Sequence, residues 1–171
     1  LDRLFDAQVA SRHCDLAERW SRRQGKGFYT ISSEGHESNP PVSMALRPTD
    51  PALLHYRSGG FYLARAGLAG VRDILAGVVA AVDEPISGGR HKVFGRHDLA
   101  IIPQTSTIAS HLPRALGVAF AIGRGARLGL ASPWPADALA VCSFGGTSAN
   151  NSVGSGSMNA ASLLAEFSRR V

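Results

Sequence analysis

The stretch Leu139-Ala140-Val141-Cys142-Ser143-Phe144, which runs into Gly145-Gly146-Thr147, contains the strongest strand signal in the chain. It is short, predominantly apolar, and bounded by Asp137 and the glycine pair, as expected for a β-strand. A strand that is apolar on both faces belongs in the middle of a parallel sheet, where helices cover both sides. We therefore expect residues 139–144 to form an interior strand.

Outward from this strand, the sequence alternates predicted helices with a second predicted strand. Apolar residues at helical spacing predict amphipathic helices, and a short apolar run predicts a buried strand. The predicted helices cover residues 2–23, 40–46, 71–82, from Ser106 or Thr107 to 123, and 158–167; the second strand covers 52–56, and loops cover 83–104 and 124–137. This alternation predicts an α/β fold with a mostly parallel sheet covered by helices, whose ligands bind beyond the carboxyl ends of the strands.

The composition predicts one globular domain rather than a membrane or secreted protein. The 171 residues are 44% hydrophobic and 18% charged, which is enough to form a substantial core. The longest apolar run, residues 74–82, is too short and too interrupted by glycine to span a bilayer, and no secretory leader opens the sequence. Cys14 and Cys142 lack neighbours at zinc-ligand spacing. We expect them to be buried free thiols in a cytoplasmic protein that does not bind membranes.

The formal net charge of +5 is compatible with an anionic ligand, a nucleic acid or simple solubility. The densest basic group, residues 19–26, ends the first predicted helix, where cations complement the helix dipole. A nucleic-acid surface needs a longer basic stripe with interleaved aromatic residues. A basic anion-binding or nucleic-acid-binding module is therefore the least favoured of three hypotheses, since only the net charge supports it. We expect no nucleic-acid partner.

Three segments combine glycines or hydroxyls with the end of a predicted element. Tyr56 and Arg57 end a strand before a glycine pair, and an arginine there can bind a phosphate through two parallel hydrogen bonds. Residues 103–108 lead into a helix, and residues 145–151 leave the strand 139–144 through glycines and hydroxyls. Taken singly, each segment is equally compatible with a surface turn, a plain helix N-cap or an ordinary glycine-rich turn.

In chain order, however, these segments belong to a longer series. The series comprises Gly27-Phe28-Tyr29, Gly35-His36-Glu37, Pro48-Thr49-Asp50, Tyr56-Arg57, Leu112-Pro113-Arg114-Ala115-Leu116-Gly117, Phe144-Gly145 and Asn159-Ala160-Ala161. It resembles the alpha-type half of the decarboxylating component of 2-oxo acid dehydrogenase complexes, including the branched-chain and pyruvate enzymes. The resemblance covers nearly the whole chain after the first predicted helix. It implies a thiamine-diphosphate-binding fold, with thiamine diphosphate and magnesium as cofactors.

The resemblance also implies roles for individual residues. Tyr56 and Arg57 match a pair that holds the cofactor, with the arginine on its diphosphate. Ser106 and Ile108 match positions that flank the aminopyrimidine, where the apolar Ile108 side chain wedges the cofactor into its bent conformation. His91 lies in the loop that in relatives contains a catalytic histidine facing the reaction centre, although its alignment is offset by two positions.

The match fails at the magnesium-binding motif. Gly145 corresponds to the first glycine of this motif, but Gly146 occupies the position of its acidic magnesium ligand, and Thr147 replaces the next glycine. Magnesium requires oxygen ligands, and glycine has no side-chain oxygen. The asparagine-bearing second half of the motif is expected beyond Val171, and Asn150-Asn151 comes too early to replace it.

The expectation is therefore a single, incomplete thiamine-diphosphate-binding domain over residues 1–171, truncated at its carboxyl end. Its parent reaction is the oxidative decarboxylation of a 2-oxo acid with acyl transfer to a lipoyl group. The expected partners are the 2-oxo acid, a beta-type half and a lipoyl-bearing acyltransferase, within an oligomer. We expect the chain alone to be inactive, and the second hypothesis is a degenerate non-catalytic remnant or interaction module.

Overall fold

The computed structural model describes the backbone of residues 1–29, 31–105 and 107–169, and the side chains of these ranges up to Glu166. It is rich in helices and contains a two-stranded parallel sheet. The elements in chain order are α1 (Asp2–Arg23), α2 (Pro40–Ala45), β1 (Ala52–Leu53), α3 (Gly59–Ala66), α4 (Gly70–Val78), a 3-10 turn (His97–Leu99), α5 (His111–Arg127), β2 (Val141–Cys142), α6 (Gly146–Ala149) and α7 (Ser152–Arg169). The predicted α/β class is confirmed at this level.

Strand β1 is the centre of the sheet. It pairs in parallel with β2, with Ala52 opposite Val141 and Leu53 opposite Cys142. On its other side, Ala52 forms an isolated parallel bridge with Ile101. Ala52, Leu53 and Leu54 are completely buried. The interior position that the sequence suggested for residues 139–144 therefore belongs to residues 52–54.

The prediction of an interior strand over residues 139–144 is wrong. Strand β2 comprises only Val141–Cys142, both half-buried, and Leu139 is 60% exposed. The amide of Leu139 donates to the Asp50 carboxylate at 2.9 Å instead of joining the sheet. Arg47 fixes the preceding loop by donating to both carboxylate oxygens of Asp137, at 2.9 and 3.0 Å. Side-chain contacts hold the chain up to Leu139 in place, and pairing with β1 begins only at Val141.

The core lies between α1, α3, α4 and β1, and its largest members are Phe61, Tyr62 and Phe94. Helix α3 was not predicted, because the glycine pair Gly59-Gly60 indicated only a close approach of the backbone. The glycines begin the helix where it is crowded: a Cβ on Gly59 would lie 2.7 Å from Ser33 Oγ, and one on Gly60 would lie 3.0 Å from the Pro40 ring. Close packing, rather than chain reversal, explains this glycine pair.

The other predicted helices are present, and most of them begin or end at different residues than predicted. Helix α1 has the predicted bounds, whereas α4 ends at Val78, shortly before Ala80 adopts a positive φ of 53°. Helix α5 begins at His111 rather than at residue 106 or 107, and α7 begins at Ser152 rather than at residue 158. Among the helices of the described ranges, none combines the length and apolar character needed to cross a membrane.

Candidate anion-binding site

A cavity of about 390 Å³ opens at the carboxyl ends of β1 and β2, and we refer to it as the strand-end cavity. Its volume is within the range of about 300–1,000 Å³ that is typical of small-molecule sites. Four separate segments form its wall: Glu34-Gly35-His36, His55-Tyr56-Arg57, Ile108 and Gly145-Gly146-Thr147-Ser148. The parallel pairing of β1 with β2 brings the second and fourth segments together.

The loop that follows α1 holds the guanidinium of Arg57 through a hydrogen bond. Its Nη1 donates to the carbonyl of Ser32 at 2.8 Å, and its Cζ lies 5.3 Å from the centre of the Tyr56 ring. The loop is fixed in turn by the buried Asp15 of α1, whose Oδ1 accepts from the amide of Ser33 at 2.8 Å. Helix α1 therefore orients the one arginine in the described cavity wall.

Two stacked imidazoles form the wall beside Arg57. The rings of His36 and His55 lie 4.7 Å apart and are inclined by 12°, and the Tyr56 ring is 3.9 Å from that of His55. Gly145 comes close to the same imidazole, because a Cβ on it would lie 3.2 Å from His55 Nε2. A glycine at this position lets the chain that follows β2 approach the chain that follows β1.

A polar network behind the wall joins the two strand ends. The hydroxyls of Ser58 and Ser143 are 2.8 Å apart, and Asn39 donates to Ser58 Oγ at 3.2 Å. The Nε2 of His111 donates to the Ser143 carbonyl at 2.8 Å. Since Ser58 and His111 are both buried, these bonds hold the cavity wall in a defined arrangement.

The histidines near the cavity are neutral at physiological pH. Burial, followed by the nearby His36, His111 and Arg57, lowers the pKa of His55 to about 4. Burial and then the Arg57 charge lower the pKa of His36, and burial lowers that of His111. Arg57 is therefore the permanent cation beside these rings, and the imidazoles provide uncharged polar groups.

The structure brings together most, but not all, of the predicted site residues. Tyr56, Arg57, Ile108, Gly145, Gly146 and Thr147 all line the strand-end cavity. Ser106 lies outside the described residues. His91, the predicted catalytic residue, does not line the cavity; its amide donates to Ser87 Oγ at 2.9 Å within the loop that follows α4.

Sequence reasoning did not assign a role to five other wall residues: Glu34, Gly35, His36, His55 and Ser148. A signal existed for His55, because it directly precedes Tyr56 at the end of the predicted strand, and for His36, which lies within the Gly35-His36-Glu37 segment. Nothing in the sequence indicates that these two rings stack. That contact depends on the path of the loop after α1.

The wall suits an anion better than a divalent cation. Glu34 contributes the wall's carboxylate, and its Oε2 is 3.3 Å from Arg19 Nη2. Gly146 contributes no side-chain oxygen, and in the described part of the chain no group of three or more His, Cys, Asp or Glu side chains is arranged to hold a metal. The residues thus suit a diphosphate group better than a magnesium ion.

A larger cavity of about 510 Å³ lies elsewhere, between residues 95–103 and the loop containing Pro133 and Trp134. It contains none of the predicted site residues, and its arginine, Arg96, is engaged by Asp73 and Asp98. We therefore regard the strand-end cavity as the candidate site. No protein-family model matches this chain, and no curated protein matches it.

Proposed function

We propose that this chain binds thiamine diphosphate in the strand-end cavity, as the alpha-type domain of a 2-oxo acid dehydrogenase. The observation that carries the proposal is the convergence of Tyr56, Arg57, Ile108 and residues 145–147 on one cavity. These residues come from segments far apart in sequence, and the family resemblance implies a contact with the same cofactor for Tyr56, Arg57, Ile108 and Gly145.

In this proposal the diphosphate binds to Arg57, and Ile108 contacts the organic part of the cofactor. The Ile108 side chain is 49% exposed and borders the cavity, so an apolar ligand surface can cover it. Thiamine diphosphate, when bound, supplies an electron sink for the loss of carbon dioxide from a 2-oxo acid. We propose that acyl transfer to a lipoyl group, the beta-type half and the acyltransferase belong to the complete oligomer, and that the chain alone does not turn over.

The test is calorimetric titration of the chain with thiamine diphosphate, comparing Arg57→Ala with Arg127→Ala. Arg127 is an exposed arginine at the end of α5 that does not line the strand-end cavity. A charge-assisted, two-point contact is worth about 1.5–3 kcal/mol, so Arg57→Ala should weaken binding about tenfold or more, and Arg127→Ala should leave it unchanged. Equal affinities of the two variants would contradict the proposal.

The second candidate function is a non-catalytic, cofactor-binding or interaction module, and Gly146 favours it because the family's magnesium ligand is lost there. The two functions differ in turnover. Carbon dioxide release from pyruvate or a branched 2-oxo acid, in the presence of a beta-type half, would support the enzyme. The free thiols of Cys14 and Cys142 support a cytoplasmic location for either function.

A further inference from the structure

The strand-end cavity has nitrogen donors where a magnesium-dependent site has carboxylate oxygens. Its carboxylate, Glu34, has a side chain that is 62% exposed and is paired with Arg19 and, at 3.9 Å, with Arg12. A hard divalent cation binds oxygen ligands, and neither Gly146 nor the histidines supply them. A phosphate group, in contrast, accepts hydrogen bonds from N–H groups.

The hydrogen bonds of the stacked imidazoles determine which ring nitrogens hold protons. The Nδ1 of His55 accepts from the backbone amide of Arg57 at 3.3 Å, so the proton of the neutral ring lies on Nε2. The Nδ1 of His36 accepts from the side-chain amide of Asn39 at 3.3 Å, which likewise leaves the proton on Nε2. Both rings therefore have an Nε2–H donor.

These donors lie next to the arginine and the glycine loop. The Nε2 of His55 lies close to Gly145, because a Cβ atom placed on Gly145 would be 3.2 Å from this nitrogen. His36 stacks on the His55 ring, and His36, His55 and Gly145 line the cavity together with Arg57. One permanent cation and two neutral N–H donors thus surround the same space.

We propose that the strand-end cavity binds a diphosphate group without a divalent cation, through the Arg57 guanidinium and the Nε2–H groups of His36 and His55. This inference rests on the proposed function for its organic ligand, but it concerns the anion alone. In this arrangement the imidazole N–H groups donate hydrogen bonds to the diphosphate oxygens that a magnesium ion would otherwise bind. The charged and titratable groups that face the two rings are Arg57, His111, Glu34 and Glu37.

The experiment titrates the full chain with inorganic pyrophosphate, once in EDTA and once in excess magnesium. We expect binding in EDTA, with an affinity that magnesium does not improve by more than about twofold. His36→Phe keeps a stacking ring and removes the N–H, and His55→Gln keeps an N–H donor of similar reach. His36→Phe should weaken pyrophosphate binding about tenfold, and His55→Gln should weaken it less.

The control variant is His97→Phe, because His97 is exposed and does not line the strand-end cavity. It should bind pyrophosphate as the unmodified chain does. Circular dichroism of each variant verifies folding, and His36 is the safer site because it is only half-buried. Pyrophosphate binding that requires magnesium, or that His36→Phe leaves unchanged in a folded protein, would overturn the inference.

The same titrations with thiamine diphosphate separate this inference from the proposed function. If thiamine diphosphate binds only with magnesium, the metal-free inference is wrong while the proposed function stands. If pyrophosphate binds in EDTA but thiamine diphosphate binds no better, the inference stands and the assignment of the organic ligand is wrong. If neither ligand binds under either condition, both are wrong.

Discussion

The chain before residue 105 and the chain after residue 107 differ in how they pack. The main apolar cluster lies entirely between Ala7 and Ile101, and Leu54, Phe61 and Tyr62 in it are at most 1% exposed. The second region buries only smaller aliphatic side chains, those of Ala109, Leu112, Ala115 and Ile122 among the described residues, while Phe120, Leu130 and Leu163 are 53–62% exposed. The strand-end cavity lies between the two regions. Its charged and imidazole groups come from the well-packed region, and Gly145, Gly146 and Ile108 come from the open one.

This difference indicates that the two regions contribute different properties to the site. A donor must be held in a fixed orientation to bind an anion, and buried neighbours fix Arg57 and His55. Glycines need no such support, because they contribute backbone and space. We expect the packed region to determine stability and anion binding, and the open region to form the remaining wall of the cavity.

The largest expected effect compares two leucines, one from each region. Leu54→Ala removes a completely buried side chain and should lower the free energy of unfolding by about 2–5 kcal/mol. Leu163→Ala, at a site that is 53% exposed, should lower it by no more than about 0.5 kcal/mol. Urea unfolding followed by circular dichroism measures both. A large loss from Leu163→Ala would mean that α7 is covered in solution, which would remove the difference between the regions.

A smaller effect distinguishes two glycines within α7. A Cβ on Gly154 would lie 2.0 Å from the carbonyl oxygen of Ser148, whereas one on Gly156 has nothing within 4 Å. Gly154→Ala should therefore destabilise the protein by about 1–3 kcal/mol through overpacking. Gly156→Ala should stabilise it by up to about 1 kcal/mol, because alanine favours helix.

Thermal unfolding of the two variants sharpens the comparison, since Ser148 belongs to the cavity wall. Gly154→Ala should also weaken pyrophosphate binding, and Gly156→Ala should not. If both alanines stabilise the chain equally, the contact between α6 and α7 is not formed, and the open region is looser than described.

The smallest effect concerns pH and His55. The pKa of His55 falls from 6.5 to about 4 on folding, chiefly because of burial, so below pH 6.5 the unfolded chain binds a proton that the folded chain does not. Stability is therefore lost as pH falls from 6.5 towards 4. Between pH 7.5 and 5.0 the unmodified chain should lose about 1–2 kcal/mol more than His55→Gln.

Each protein is first compared with its own value at pH 7.5. Subtracting the change in the variant from the change in the unmodified chain then cancels the opposite contributions of Asp15 and Glu18, whose pKa values burial raises. The control is His97→Gln, at an exposed site, which should lose as much as the unmodified chain. An equal loss in His55→Gln would show that His55 is not buried in the neutral form, and the packed wall would need revision.

The sequence predicted the α/β class and most helices from local patterns, and the family resemblance singled out six residues that line the cavity. Helix α1 follows from apolar spacing, and Tyr56, Arg57 and Gly145 follow from their order along the chain. The interior strand was assigned to the wrong segment because apolar character alone cannot reveal that the Leu139 amide is bound by Asp50. The stacked histidines depend on a loop path that no local pattern encodes.

The most direct test of the account compares thiamine diphosphate with thiamine, which lacks the diphosphate. Calorimetric titration of the unmodified chain with both ligands, in EDTA, measures what the Arg57 side of the cavity contributes. We predict that thiamine diphosphate binds at least about tenfold more tightly than thiamine, as expected for charge-assisted contacts to the diphosphate. Equal affinities of the two ligands in EDTA, and again in excess magnesium, would contradict the central claim that this cavity is a diphosphate-binding site.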